Sequence, residues 1–351
     1  MYARIHLLPT HPSKQSVRRS GRAASRRPGN RHRVRPCLEV FEDRCLLAAW
    51  TAVGPAPQVD PNGLFGWTGG TVAGRVTSLA VSSQGLLMGT AGGGIWLGSP
   101  ITSPTWAPVT DNVAGAIDPS TGLRAGAIDI GTIAVDPNNP SVVYAGTGEA
   151  NYSSDSRYGT GILKSTDGGN TWSLIATGGT IGGTNFPSAF FKKSISKIIV
   201  DPTNSSNIYA AVVDDGNGTY GTAGNGGASL DADGIWKSTN GGATWSRMIG
   251  SPSGGTVLVS DLDYTYNSST GSFRIFAAVT NGGGYFSQAG VYLSDNGAAS
   301  FSPNNLLPVD GNSLGRITLA ADHTSGSQTI YAAVDRREHS IFLQPPASRL
   351  N

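Results

Sequence analysis

The sequence predicts an all-β fold of repeated four-stranded antiparallel blades, on three observations. An octet of residues, Ser165 to Trp172, returns as Ser238 to Trp245 and in worn form as Ser294 to Phe301. Between the octets an apolar strand, an Asp-Pro turn and a second strand ending in Tyr-Ala recur. Glycine is abundant, 49 of 351 residues, without a Gly-X-Y period, as many short strands and tight turns require.

The octet reads Ser-x-Asp/Asn-x-Gly-x-Thr-Trp. Its defining positions are Ser165, Asp167, Gly169, Thr171 and Trp172, then Ser238, Asn240, Gly242, Thr244 and Trp245. The third copy keeps Ser294 and Asn296, carries Ala298 in place of the second glycine and ends in Phe301. A fourth survives only as Pro104-Thr105-Trp106. Asp and Asn side chains hydrogen-bond nearby amides, Gly supplies positive φ, and Thr-Trp begins a strand. The octet is therefore expected to be a hairpin turn that anchors an indole in a core, with structural rather than catalytic carboxylates.

The strand–turn–strand phrase is clearest as Ile133-Ala134-Val135-Asp136-Pro137 leading to Tyr144-Ala145, and Ile198-Ile199-Val200-Asp201-Pro202 leading to Tyr209-Ala210. Weaker copies run from Leu79, Leu262 and Asp322, the last leading to Tyr331-Ala332. A third strand follows, as in Gly161-Ile162-Leu163-Lys164 and Gly234-Ile235-Trp236-Lys237. Units begin near residues 76, 130, 195, 257 and 315, a spacing of 54 to 65 residues, which predicts a β-propeller of about five blades. In one reading Trp50–Gly54 closes the ring against Ser340–Leu343, hiding two sheet edges. In the other the chain is a truncated part of a six- to eight-bladed propeller.

The octet resembles the Asp-box (BNR) repeat of β-propellers such as sialidases, sortilin-like receptors and xyloglucan hydrolases. That resemblance implies fold more than function. Before the repeats, Leu38-Glu39-Val40-Phe41-Glu42-Asp43-Arg44-Cys45-Leu46-Leu47 resembles the LEPR-xLL segment at the N-termini of large bacterial cell-surface proteins. It implies export, with an extracellular or cell-surface location on a bacterium. The expected organisation is a disordered basic leader over 1–36, the LEPR-xLL-like segment over 37–47, the propeller over 48–343 and a tail over 344–351.

Charge is unevenly spread. The formal +2 divides into +8 over residues 1–44 and −6 over the remainder. An acidic, Lys-poor body argues against a nucleic-acid groove. Cys37 and Cys45 both precede the repeats, so the blades carry no thiol nucleophile and no disulfide framework. No apolar run reaches the ~18 residues of a membrane span.

In a four-stranded blade the Asp-Pro turns and octets share one face, and the variable loops lie on the other. Insertions gathered on one face of a repeat fold mark a binding face. The richest of these loops is Gly148 to Tyr158, where Glu149, Tyr152, Asp155, Arg157 and Tyr158 supply acids, a base and aromatic faces. Sugar recognition or acid–base chemistry uses such groups, with Glu149 and Asp155 as the catalytic candidates; an Asp155–Arg157 pair pinning the loop is the plainer reading. Asp214 and Asp215, with Asp231 and Asp233, gather oxygens suited to Ca²⁺ but lack EF-hand order. They are read as solvated turn carboxylates, and no cofactor is expected. The function expected is an exported, non-catalytic propeller that binds a glycan or a cell-surface protein through the long-loop face. The alternative is a glycoside hydrolase resembling the xyloglucan-cleaving propellers.

Overall fold

The structure, a computed structural model, describes residues 75–113, 129–150, 158–213, 232–250, 257–280, 286, 288–303, 305–307 and 315–335, and the backbone of 2–6, 58–59, 71–72, 281–282, 314 and 336. Runs of β-branched and aromatic residues between glycine-rich turns make strands, and no helix occurs among the described residues. Three short strands come first: β1 (Tyr2–His6), and the mutually paired β2 (Gln58–Val59) and β3 (Thr71–Val72). Blade one then lays down β4 (Val76–Val81), β5 (Leu86–Thr90), β6 (Gly94–Ser99) and β7 (Thr105–Pro108) side by side in chain order. Blade two repeats the order with β8 (Ile130–Asp136), β9 (Asn139–Thr147), β10 (Ile162–Ser165) and β11 (Ser173–Ala176).

A hairpin, β12 (Gly179–Ile181) and β13 (Thr184–Phe186), leads into blade three. That blade contains β14 (Ser194–Val200), β15 (Ile208–Val213), β16 (Gly234–Ser238) and β17 (Ser246–Ile249). Blade four has β18 (Val257–Asn267), β19 (Ser272–Gly282) and β20 (Gly290–Ser294), and blade five has β21 (Leu314–Ala321) and β22 (Thr329–Arg336). The blades are antiparallel meanders, with β12 added parallel to β17, and their first strands neighbour one another in chain order: β4 with β8, β8 with β14, β14 with β18, β18 with β21. The fold is therefore the all-β propeller architecture that the repeat period predicts.

The core is four apolar layers, each between consecutive blades. Leu87, Ile95 and Leu97 of blade one meet Ile133, Val143, Leu163 and Trp172 of blade two. Tyr144 and Ile162 of blade two meet Ile198, Val200, Trp236 and Trp245 of blade three. Tyr209 and Ile235 meet Leu262, Ile275 and Phe301, and Phe276 and Val291 meet Ile317, Leu319 and Ile330. The inner strands of blades two to four thus bury one face against the blade before and the other against the blade after.

Three features differ from the expectation. Among the described residues blade four has no regular fourth strand, though the Ser302 and Leu306 amides donate to the Leu293 and Val291 carbonyls (2.7 and 2.8 Å). Side-chain chemistry fills the gap: Asn305 Oδ1 accepts from the Val291 amide (3.0 Å) and Nδ2 donates to the Ala289 carbonyl (3.1 Å). The stretch between blades two and three, read as loop, holds the β12–β13 hairpin. Its turn, Gly182-Gly183, has φ of +55° and +85°, the double left-handed turn that matches strand twist. Finally, Tyr2–His6, inside the leader expected to be unstructured, pairs antiparallel with β22, Tyr2 opposite Ala333 and His6 opposite Thr329. Its alternating Tyr-Ala-Arg-Ile-His suits an open sheet edge. That is the edge at which Ser340–Leu343 was expected. Ser340–Leu343, Trp50–Gly54 and the LEPR-xLL-like segment lie outside the described residues.

Candidate functional site

The geometry of the octets decides whether their carboxylates are available for chemistry. Ser165 Oγ donates to Asp167 Oδ1 (2.7 Å) and accepts from the Gly169 amide (2.8 Å). Asp167 Oδ1 also accepts from the Thr171 amide (2.9 Å), and Oδ2 accepts from Thr171 Oγ1 (2.6 Å). The second octet repeats this with Ser238, Asn240, Gly242 and Thr244, except that Asn240 Nδ2 donates to Thr244 Oγ1 (2.8 Å). A hydroxyl that can donate or accept is what lets Asn stand for Asp. Ser294, Asn296 and Ser300 make the same set in the third. Every Asp or Asn oxygen is committed to its own turn.

Burial works to raise the Asp167 pKa, but the hydrogen bonds from Thr171 and Ser165 outweigh it and hold the group below the ordinary carboxylate range. Trp172 and Trp245 are buried, and each indole N–H donates to the second glycine of its octet, Gly169 at 2.9 Å and Gly242 at 3.0 Å. Phe301 fills the same place without that bond, its ring edge-on to Phe286 at 5.7 Å. The first glycine carbonyl serves the preceding blade. Gly168 O accepts from Ser82 Oγ (2.7 Å), and Gly241 O accepts from Tyr144 Oη (3.1 Å) and Lys164 Nζ (2.9 Å). Burial first, then Asp136, pushes the Tyr144 phenol up to about 12, so it remains a donor across the ordinary pH range. The octets join blade to blade.

On the opposite face, Thr147 ties the neck of the loop that leaves blade two. Its hydroxyl donates to Gly161 O (2.7 Å) and accepts from the Thr160 and Gly161 amides (2.7 and 2.9 Å). Glu149 sits just inside this neck, 2% exposed, in an ion pair with Arg75 at the entrance to blade one. One blade further, Asp233 is 3% exposed and pairs with Lys193 at 3.1 Å. Two buried carboxylates from adjacent blades thus lie on the long-loop face, each with a cation. Among the described residues no three His, Cys, Asp or Glu side chains come together as a metal site. Tyr158 is half-buried at the far end of the loop. Tyr152, Asp155 and Arg157, with Asp214, Asp215 and Asp231, lie outside the described residues.

Sequence reasoning missed a polar ladder near the propeller axis. Hydroxyls on first strands donate to carbonyls of the next blade: Thr77 to Ile130 (2.5 Å), Ser196 to Val259 (2.6 Å) and Ser260 to Ile317 (2.7 Å). One residue on, Ser78 accepts from the Ile133 amide and Asp261 accepts from the Leu319 amide, both at 2.9 Å. Lys197 holds this register position in blade three and reaches Asp261 at 3.1 Å. Burial works to lower the Lys197 pKa, yet Asp261 and Asp263 outweigh it and raise it. Asp263 in turn accepts from the Ala321 amide (2.7 Å) and pairs with His323 (2.8 Å), whose ring stacks on Tyr264 at 4.2 Å. The signal was present in the sequence: Lys197 and Asp261 are charges at one repeat position within otherwise apolar strands.

No protein-family model matches the chain. It is 31% identical to a xyloglucanase of Hypocrea jecorina over 165 residues, 47% of this chain and 16% of that protein. It is 28% identical to a xyloglucanase of Paenibacillus over 166 residues, 47% and 13% of the respective lengths. The chain therefore spans about one-sixth of the length of these relatives. Among solved structures it is similar to the GH74 xyloglucanase from Xanthomonas campestris, with a TM-score of 0.39 and 16% identity over 66% of this chain and 30% of that one. An ancestral GH74 enzyme gives 0.36 and 18%, over 71% and 33%. No helix among the described residues is long and apolar enough to cross a membrane.

Proposed function

We propose that this chain is an exported propeller that acts on a β-glucan of the xyloglucan class, as a glycoside hydrolase or as part of one. The observation that carries the reading is the similarity of nearly half the chain to xyloglucanases. The substrate lies across the long-loop face, where Glu149 and Arg75 hold the neck of the 148–160 loop. Tyr152 and Tyr158 offer sugar-stacking rings there, and Asp155 is the carboxylate that takes part in proton transfer. Glu149, buried and paired, fixes the loop. The LEPR-xLL-like segment directs export to the bacterial surface.

One observation favours a second reading. Glu149 and Asp233, two buried carboxylates on this face, are ion-paired, which suits hydroxyl recognition better than proton transfer. The full chain incubated with soluble xyloglucan separates the two. Hydrolysis releases reducing ends, and Asp155→Asn lowers that release by about 100-fold or more. A non-catalytic binder retards in a xyloglucan affinity gel without releasing reducing ends. Neither retardation nor release, with cellulose and chitin as controls, overturns the assignment.

A further inference from the structure

The first hairpins of blades three and five each close on an opposed pair of residues. Asp201 faces Asn207, its amide donating to the Asn207 carbonyl at 3.0 Å, and Asp322 faces Thr329 in the same way. In blade three the side chains complete the pair, Asn207 Nδ2 donating to Asp201 Oδ2 at 3.2 Å. Blade four departs from this at both positions. Thr265 stands where Asp136, Asp201 and Asp322 stand in blades two, three and five, and opposite it Arg274 replaces Asn207. The donor has gained a charge, and the carboxylate it would meet is gone.

A cleft of about 160 Å³ opens at this point on the octet face, between the 267–272 turn of blade four and the 322–328 turn of blade five. The Gly326 amide donates to the Tyr266 carbonyl at 2.8 Å, and the Ser268 and Ser325 hydroxyls share a hydrogen bond at 2.8 Å, so the two walls are tied together. Thr265 lines the cleft and is 1% exposed. Arg274 lines it with Nε held by Asp295 (2.8 Å) and Nη1 by Gln328 Oε1 (3.1 Å), and among the described residues nothing accepts from Nη2. Asn267 Oδ1 accepts from the Ser269 and Thr270 amides (2.9 and 3.3 Å). Both amide oxygens are therefore spent. Asn267 Nδ2, Gln328 Nε2 and Arg274 Nη2 remain as donors, beside the hydroxyls of Thr265 and Ser272. Asp295 is 61% exposed and stands outside the lining, so it offsets the guanidinium charge only weakly. Donors gathered around one guanidinium suit an acceptor that carries negative charge. We propose that this cleft binds a small polyhydroxylated oxyanion, a sugar acid or a sugar phosphate, whose charged group takes the place of the missing turn carboxylate. A volume of this order holds several waters, and one sugar ring with its oxyanion fills it. The cleft lies away from the long loops, and the inference stands whether or not the chain cleaves glycans.

Isothermal titration calorimetry of the full chain at low salt tests this with three probes: glucuronate, glucose 6-phosphate and uncharged glucose. One or both anions should bind, and glucose should bind at least about tenfold more weakly. Binding confined to glucuronate identifies a carboxylate as the recognised group, and binding confined to glucose 6-phosphate identifies a phosphate. Added salt should weaken the anion signal and leave glucose unaffected. Arg274→Gln removes the guanidinium and should weaken anion binding by about tenfold or more. Thr265→Asp restores the carboxylate that blades two, three and five carry, pairs it with Arg274 and should abolish binding, with circular dichroism showing that the blades still form. The inference is overturned if neither anion binds, if glucose binds as tightly as the anions, or if anion binding survives Arg274→Gln.

Discussion

Replacing Trp245 with Ala tests the claim that the octets build the core. The indole is 2% exposed in the layer between blades two and three, with the Phe190 ring edge-on at 6.3 Å. Emptying such a site costs about 3–5 kcal/mol in lost transfer energy and cavity. The Gly242 carbonyl also loses its indole donor, adding about 1 kcal/mol. The sum, about 4–6 kcal/mol, rivals the whole stability of many domains. Trp245→Phe keeps most of the ring, as Phe301 does in the third octet, and should cost about 1–2 kcal/mol. Trp106, half-buried in blade one, gives the internal control, and Trp106→Ala should cost about 1–2 kcal/mol. Urea unfolding followed by both fluorescence and circular dichroism measures all three, two probes being needed because repeat folds can lose cooperativity. If Trp245→Ala costs no more than Trp106→Ala, the octet is a surface turn and the repeat alignment fails.

Asp167→Asn should change stability by less than about 0.5 kcal/mol, since Asn240 and Asn296 do the same work, while Asp167→Ala should cost about 1–2 kcal/mol. Because the folded-state pKa of Asp167 is lowered, its contribution is present above the unfolded value of about 3.9 and is lost as pH falls through the folded one. Urea midpoints of wild type and Asp167→Ala should therefore converge below that range. Gly242→Ala should cost about 3 kcal/mol in a thermal or urea titration, because a Cβ at φ +91° would sit 2.7 Å from Ile175 Cδ1. Ala298 is accommodated in the third octet at φ +63°, within the left-handed well. Lys197→Met should cost about 2–3 kcal/mol, short of the full penalty for a buried pair because 34% of the side chain meets solvent. The Lys197 pKa is raised, so its stabilisation is complete below about 10.4 and is lost as pH climbs through the folded value, which unfolding midpoints at pH 9 to 11 can follow.

The sequence by itself determined the blades. Period, octet and Asp-Pro turn are local: Ser165, Asp167 and Thr171 close a turn on themselves, and strand alternation needs no distant partner. The strand starts near 76, 130, 195 and 257 were therefore legible, as was the burial of Trp172 and Trp245. Only the tertiary structure decided what each polar side chain meets. Glu149 looked like a loop carboxylate open to ligand, but Arg75, 74 positions away, makes it a buried partner. Asp233 looked like a turn carboxylate until Lys193 came beside it from the far side of blade three. Lys197 and Asp261 stood in separate apolar strands, and blade stacking alone made them a pair. The same stacking separates Leu79 from Ile133, two residues of one type at one repeat position. One is covered by a preceding blade and the other is exposed, because burial belongs to the neighbour and not to the residue.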